Sequence, residues 1–74
     1  MHSSKKLLTL KEQQEYIISS LPNVGPSLAK ELLKKFKTVK KVINAKEDKL
    51  KKVEKIGEKK AKNIRNLVDS EYLH

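Results

Sequence analysis

One pattern occurs twice in this 74-residue chain, thirty-two positions apart. Leu21-Pro22-Asn23-Val24-Gly25 leads into a run through Phe36, and Val53-Glu54-Lys55-Ile56-Gly57 leads into a run through Val68. Each copy reads apolar, two polar or turn-forming residues, β-branched apolar, Gly, and then an Ala four residues past the Gly (Ala29, Ala61). Such self-similarity identifies a doubled supersecondary unit, which constrains the fold more than composition does. The unit is a short hairpin that opens directly into a helix. A tight turn ending in Gly at a helix start presents unpaired backbone N–H groups at the positive end of the helix dipole, an arrangement suited to phosphate. Function is expected at these two turns.

The stretches between the turns carry helical periodicity. Thr9 with Glu12 fits a capping box, and Ile17, Ile18 and Leu21 follow at helical spacing up to Pro22, which predicts a first helix over residues 10–20. Pro26 suits a first helical position, where its missing N–H would be unpaired anyway. Leu28, Ala29, Leu32, Leu33 and Phe36 then make an apolar stripe for a second helix. Thr38 caps a short third helix carrying Val39, Val42 and Ile43 and ending near Asn44, and residues 47–52 read as one further turn with Leu50 facing in. A last helix over residues 58–69 is expected to bury Ala61, Ile64, Leu67 and Val68. No segment alternates with period two over a strand's length. The fold class expected is all-α, with about five short helices. Residues 1–8 are expected to be a flexible leader or linker and residues 9–74 the domain, with one motif over 21–36 and the other over 53–68. Ala29 and Ala61 are expected where a helix packs closely on its neighbour.

A chain of this length buries only about 60% of the surface its unfolded form exposes, so a modest core is expected. With 36% hydrophobic and 36% charged residues, it is too apolar and too regularly patterned for disorder, and too broken by charge for a membrane span. It has no Cys for a disulfide framework or a thiolate metal site, and no apolar segment near Met1 resembles a signal peptide, so an intracellular setting is expected. The net charge of +9 is uneven: between Lys30 and Arg65 stand fifteen Lys or Arg against five acids. The basic stretch coincides with the repeat, as expected of a polyanion binder. A lysine-rich surface of the kind seen in proteins from hot environments is the plainer reading, but such surfaces generally carry matching acids.

The two copies resemble tandem helix-hairpin-helix motifs, the unit usually written as apolar-x-Gly-apolar-Gly followed by a helix. The wording from Ser20 to Ala29 and from Val53 to Ala61 is most similar to the C-terminal domain of the XPF-type structure-specific endonucleases, and within them to the archaeal Hef-type helicase-nucleases. The resemblance covers about residues 10–68. It implies sequence-nonspecific, structure-directed binding of branched, forked or junction DNA, homodimerisation, and a place in a larger repair nuclease or helicase. The expected contacts are Asn23, Val24, Gly25, Ser27 and Lys30 at the first hairpin, and Lys55, Ile56, Gly57, Lys59, Lys60 and Lys62 at the second. Amides of Val24, Gly25, Ser27, Ile56, Gly57 and Lys59 would donate to phosphates. Such contacts fix position without reading bases, so binding should tolerate sequence and depend strongly on salt. The sequence departs from the pattern where Asn23 and Lys55 replace the first Gly of each motif. If that site takes positive φ, Asn suits it and Lys does not, which puts the second hairpin's geometry in question.

Most other lysines (34, 35, 37, 40, 41, 46, 49, 51 and 52) read as a solvated face. Phe36 reads as core and Tyr16 as lying on an exposed or half-buried helix face. In the XPF-type family an aromatic near the end of this domain inserts into the partner subunit, so Tyr72 with Leu73 is either a dimer anchor or a frayed tail. Catalysis is not expected. His2 and His74 lie at the two ends, and the acid pairs Glu12 with Glu15 and Glu47 with Asp48 read as charges at helix starts. The Glu-Arg-Lys nuclease signature, a phosphate loop and helicase motifs are all absent. No cofactor, metal or small-molecule substrate is expected. The competing reading is a protein–protein dimerisation or tethering domain with incidental DNA affinity.

Overall fold

The computed structural model describes residues 8–73. The leader expected over residues 1–8 lies outside them apart from Leu8, as do His2 and His74. Five helices follow in order: α1 Leu10–Ser19, α2 Gly25–Phe36, α3 Val39–Asn44, α4 Glu47–Leu50 and α5 Glu58–Asp69. Among the described residues there is no strand, and no helix is long and apolar enough to cross a membrane.

Local chemistry sets the helix ends. Thr9 and Glu12 form the reciprocal capping box, with the Thr9 N–H donating to Glu12 Oε1 at 2.9 Å and the Glu12 N–H donating to Thr9 Oγ1 at 3.1 Å. Thr38 caps α3 through the Lys41 N–H at 3.0 Å. Helix α2 stops at Lys37, whose φ of 79° turns the chain left-handed while its N–H still reaches the Leu33 carbonyl at 2.8 Å. A Gly or Asn usually takes that position. Lys37 holds it because Val39, Val42 and Ile43 beyond it pack against the core.

The core repeats along with the sequence. Ile18, Leu32, Val42, Leu50 and Ile64 are the largest fully buried side chains, one from each helix. Ile18 and Leu50, Leu21 and Val53, Val24 and Ile56, Ala29 and Ala61, and Leu32 and Ile64 are five pairs at the thirty-two-residue offset, and every member is buried. Helix α4 is therefore the shortened counterpart of α1. Each unit is a helix, a hairpin and a second helix, with α1 packed on α2 and α4 on α5. The Ala pair, fully buried, gives the close approach expected of it. The repeat breaks where Lys60 replaces Leu28; its Nζ reaches the Lys55 carbonyl at 3.3 Å across its own hairpin.

Arg65 ties the second unit to the connecting helix α3. Its guanidinium donates to the Ile43 carbonyl and, at 3.0 Å, to the Ala45 carbonyl beyond the end of α3, and pairs with Asp69 one turn along α5. It satisfies carbonyls that the end of α3 leaves without helical partners.

Three expectations about burial and helix ends need correction. Leu67, expected in the core, is 54% exposed, and Val68 beside it is half-buried. Ile17, part of the apolar spacing expected for the first helix, is 50% exposed because Ile18 takes the inward position on α1. Helix α2 begins at Gly25, one residue before Pro26.

Candidate nucleic-acid interface

The two hairpins have the same hydrogen-bonded frame. In the first, the Leu21 N–H donates to Ile18 O and the Val24 N–H to Leu21 O, each at 3.1 Å; in the second, the Val53 N–H donates to Leu50 O and the Ile56 N–H to Val53 O, each at 3.0 Å. Asn23 and Lys55 both take positive φ, 59° and 77°. The second hairpin thus closes despite Lys55. A left-handed non-Gly residue costs roughly 1–2 kcal/mol, and burial of Leu50, Val53 and Ile56 on either side of the turn offsets it.

This frame removes two of the expected phosphate donors. The amides of Val24 and Ile56 are engaged inside their own turns, and both side chains are buried. They hold the hairpins closed and present nothing outward. The amides of Gly25 and Ser27, and of Gly57 and Lys59, make no hydrogen bond among the described residues. Pro26 has no N–H. Helices α1 and α3 have side-chain caps, whereas α2 and α5 have none, so their first-turn N–H groups stay open. The four-residue α4 also lacks a side-chain cap, but Lys49 and Leu50 donate from its first turns to the Lys46 carbonyl.

The cations differ between the two turns. Asn23, Ser27 and Lys30 are exposed at the first. At the second, Lys55 and Lys59 are exposed without an ion pair, Lys60 is half-buried and drawn back to the Lys55 carbonyl, and Lys62 pairs with Glu58 at 3.3 Å. With both side chains more than half exposed, that last pair is worth little and opens readily. Among the described residues, Lys62 is the only lysine in an ion pair.

A cleft of about 410 Å³ brings the hairpins together, with Val24, Ser27, Leu28 and Glu31 on one wall and Val53, Glu54, Lys55 and Lys60 on the other. Of the expected contacts, Val24, Ser27, Lys55 and Lys60 line it, while Asn23, Gly25, Lys30, Ile56, Gly57, Lys59 and Lys62 lie outside it. The sequence reading did not place Glu31 and Glu54 there. Their carboxylates make the cleft a poor seat for an anion and leave the open amides with the exposed Lys55 and Lys59 as the groups suited to one. Glu54 sits inside the hairpin motif itself, a signal that was available. Glu31 needs the tertiary fold to reach the other hairpin. No cluster of three or more metal-ligating side chains occurs among the described residues.

Comparison with known proteins places this geometry. The sequence profile of the SAM-like helix-hairpin-helix tandem family matches residues 16–66. A Methanocaldococcus jannaschii protein named as an ATP-dependent RNA helicase is 53% identical over 68 residues, which is 92% of this chain and 9% of that one. The 3′-flap repair endonuclease Xpf of Saccharolobus solfataricus is 38% identical over 73 residues, 97% of this chain and 30% of that one. Two structures of XPF from Aeropyrum pernix superpose well. The one in complex with DNA gives a TM-score of 0.83 at 33% identity over 90% of this chain and 34% of its own. The other gives 0.85 at 32% identity over 99% and 35%. The chain thus spans less than a third of the length of the M. jannaschii and S. solfataricus proteins, and the shared part is a small non-catalytic tandem module within longer proteins.

Proposed function

The chain belongs to the SAM-like helix-hairpin-helix tandem family, and on that premise we propose that it binds DNA without sequence preference, through open main-chain amides at both hairpins and the lysines around them. The observation that carries this reading is the set of uncapped amides at Gly25, Ser27, Gly57 and Lys59, one pair at the helix start after each of two equivalent turns. Helix N-termini with open amides suit phosphate oxygens, and unpaired lysines supply the long-range attraction. The A. pernix XPF structure in complex with DNA supports the reading by analogy. By the same analogy the chain is the DNA-binding part of an intracellular repair nuclease or helicase, directing it to branched, forked or junction DNA.

Titration of labelled fork, duplex and single-stranded DNA at several salt concentrations tests the proposal. The expected result is affinity that falls steeply with salt and is indifferent to sequence. Affinity that hardly changes with salt would overturn phosphate binding. Preference for a fork over a plain duplex is the expected sign of structure-directed binding.

A second reading, association into a homodimer, is favoured by one observation. Leu67, Tyr72 and Leu73 are exposed at 54%, 84% and 84%, and with Pro22 they line one concave surface of about 650 Å³ that Asn63, Asn66, Ser70 and Glu71 complete. Apolar exposure grouped in this way suits a protein partner. Sedimentation that gives a dimer abolished by Tyr72→Ala with Leu73→Ala is the result expected; a monomer at all concentrations would exclude it.

A further inference from the structure

A second basic surface lies away from the cleft between the hairpins. Lys11 and Gln14 of α1 face Lys30, Leu33, Lys34 and Lys37 of α2 across a groove of about 370 Å³, with Glu15 as its one carboxylate. None of the four lysines is ion-paired among the described residues. Lys34 and Lys37, at the end of α2, complement the negative end of its dipole. That local role accounts for neither Lys30 nor Lys11, which faces them from the other helix.

We propose that this groove is a phosphate track continuing from the first hairpin, so that one DNA strand held at Gly25 and Ser27 runs along α2 past Lys30, Lys34 and Lys37, with Lys11 as the opposite wall. The inference rests on the DNA-binding reading above. Its geometry comes from the helix. Lys30, Lys34 and Lys37 recur at i, i+4 and i+7 on one stripe, and at 1.5 Å per residue they span about 10 Å. One strand of a duplex advances about 3.4 Å along its axis per phosphate, so the stripe spans about three phosphate-to-phosphate steps. Lys30 belongs to both the hairpin site and the groove, which makes the two surfaces continuous. The left-handed turn at Lys37 ends α2 there and places the last cation at the end of the stripe. Lysines carry no base readout, so the track lengthens the footprint without adding sequence preference.

The test compares two triple variants of the full chain with equal loss of charge: Lys11→Gln with Lys34→Gln and Lys37→Gln in the groove, and Lys40→Gln with Lys49→Gln and Lys52→Gln at exposed positions of α3, α4 and the turn after α4. Affinity for a labelled duplex and for the corresponding single strand is measured across a salt series. If the track is real, the groove variant's log–log salt slope shrinks by about 2.7 on duplex, or about 2.1 on single strand, while the control's shrinks much less. Whichever substrate shows the loss identifies the occupant. Equal changes in the two variants would reduce the groove to general surface potential and overturn the track, while salt-dependent binding by the unaltered chain would leave the hairpin reading standing. Absence of salt-dependent binding by the unaltered chain would overturn both.

Discussion

Gly25 and Gly57 occupy equivalent places in the repeat and have different backbones: Gly25 lies at φ 70°, whereas Gly57 is extended at φ −89° and ψ −174°. Gly25 is required by its conformation. Gly57 is not, and a Cβ built on it meets nothing within 4 Å. Its value lies in what a bare backbone leaves open at the start of α5, where the first-turn amides have no cap.

Gly57→Ser is therefore expected to raise stability and lower DNA affinity at once. The extended backbone at this N-cap suits Ser, whose hydroxyl would accept from the open first-turn amides and stabilise α5 by a few tenths of a kcal/mol. For a domain this small, that raises the melting temperature by about 1–3 °C. The same hydroxyl takes the amide offered to phosphate, so affinity should fall about tenfold. Calorimetry and anisotropy on one preparation measure both, and a variant that loses stability together with binding would show that Gly57 is needed only for the turn.

Lys55→Asn tests the cost of positive φ at the second hairpin. Asn tolerates the left-handed region better than Lys and already occupies the equivalent Asn23. The substitution should stabilise the domain by up to about 1 kcal/mol, or roughly 4–8 °C in melting temperature. If Lys55 contacts a phosphate, the salt slope of duplex binding falls by about 0.9 in the same variant. An unchanged slope would place Lys55 off the DNA.

Arg65→Gln should destabilise far more than its partner's neutralisation. Arg65 is half-buried and bonded to the Ile43 and Ala45 carbonyls, so its removal strands acceptors and costs about 2 kcal/mol, or roughly 8–16 °C. Asp69→Asn breaks only an ion pair whose carboxylate side is 63% exposed, and is expected to cost under about 1 kcal/mol. Equal losses in thermal unfolding would mean that the ion pair, and not the carbonyl clamp, holds α3 to α5.

Much of this architecture was legible in the sequence because its signals are local. The capping box at Thr9, the cap at Thr38 and the turn residues before α2 and α5 act over three or four positions, and the helix ends fall within one or two residues of expectation. The thirty-two-residue offset carried further, since a repeated pattern forces a repeated core. What escaped depends on which helices meet. Periodicity draws an apolar stripe on α5 without saying how wide a stripe its neighbours cover, so Leu67, at the stripe's edge, was expected inside. Arg65 looks in sequence like one more cation among many, and only the position of the α3 terminus turns it into a clamp. The amides of Val24 and Ile56 were expected to face DNA because sequence shows where a turn begins but not which N–H closes it.

The exposed edge of α5 carries the last prediction. If Leu67 belongs to an interface between two copies, Leu67→Lys should leave the melting temperature of the isolated chain nearly unchanged, because a residue already 54% exposed loses little burial on substitution. Association should suffer instead, since the new ammonium would be buried against an apolar partner surface with nothing to pair with. Sedimentation over a range of concentrations is expected to show a dimer for the unaltered chain and a monomer for the variant. The variant's hairpins stay intact, so its affinity for a short duplex that engages one copy should match that of the unaltered chain, while binding to a fork that engages two should weaken about tenfold or more through lost avidity. If fork and duplex affinities fall together, Leu67 lies on the DNA-binding face; if neither changes and the chain is monomeric throughout, the apolar edge has no self-association role.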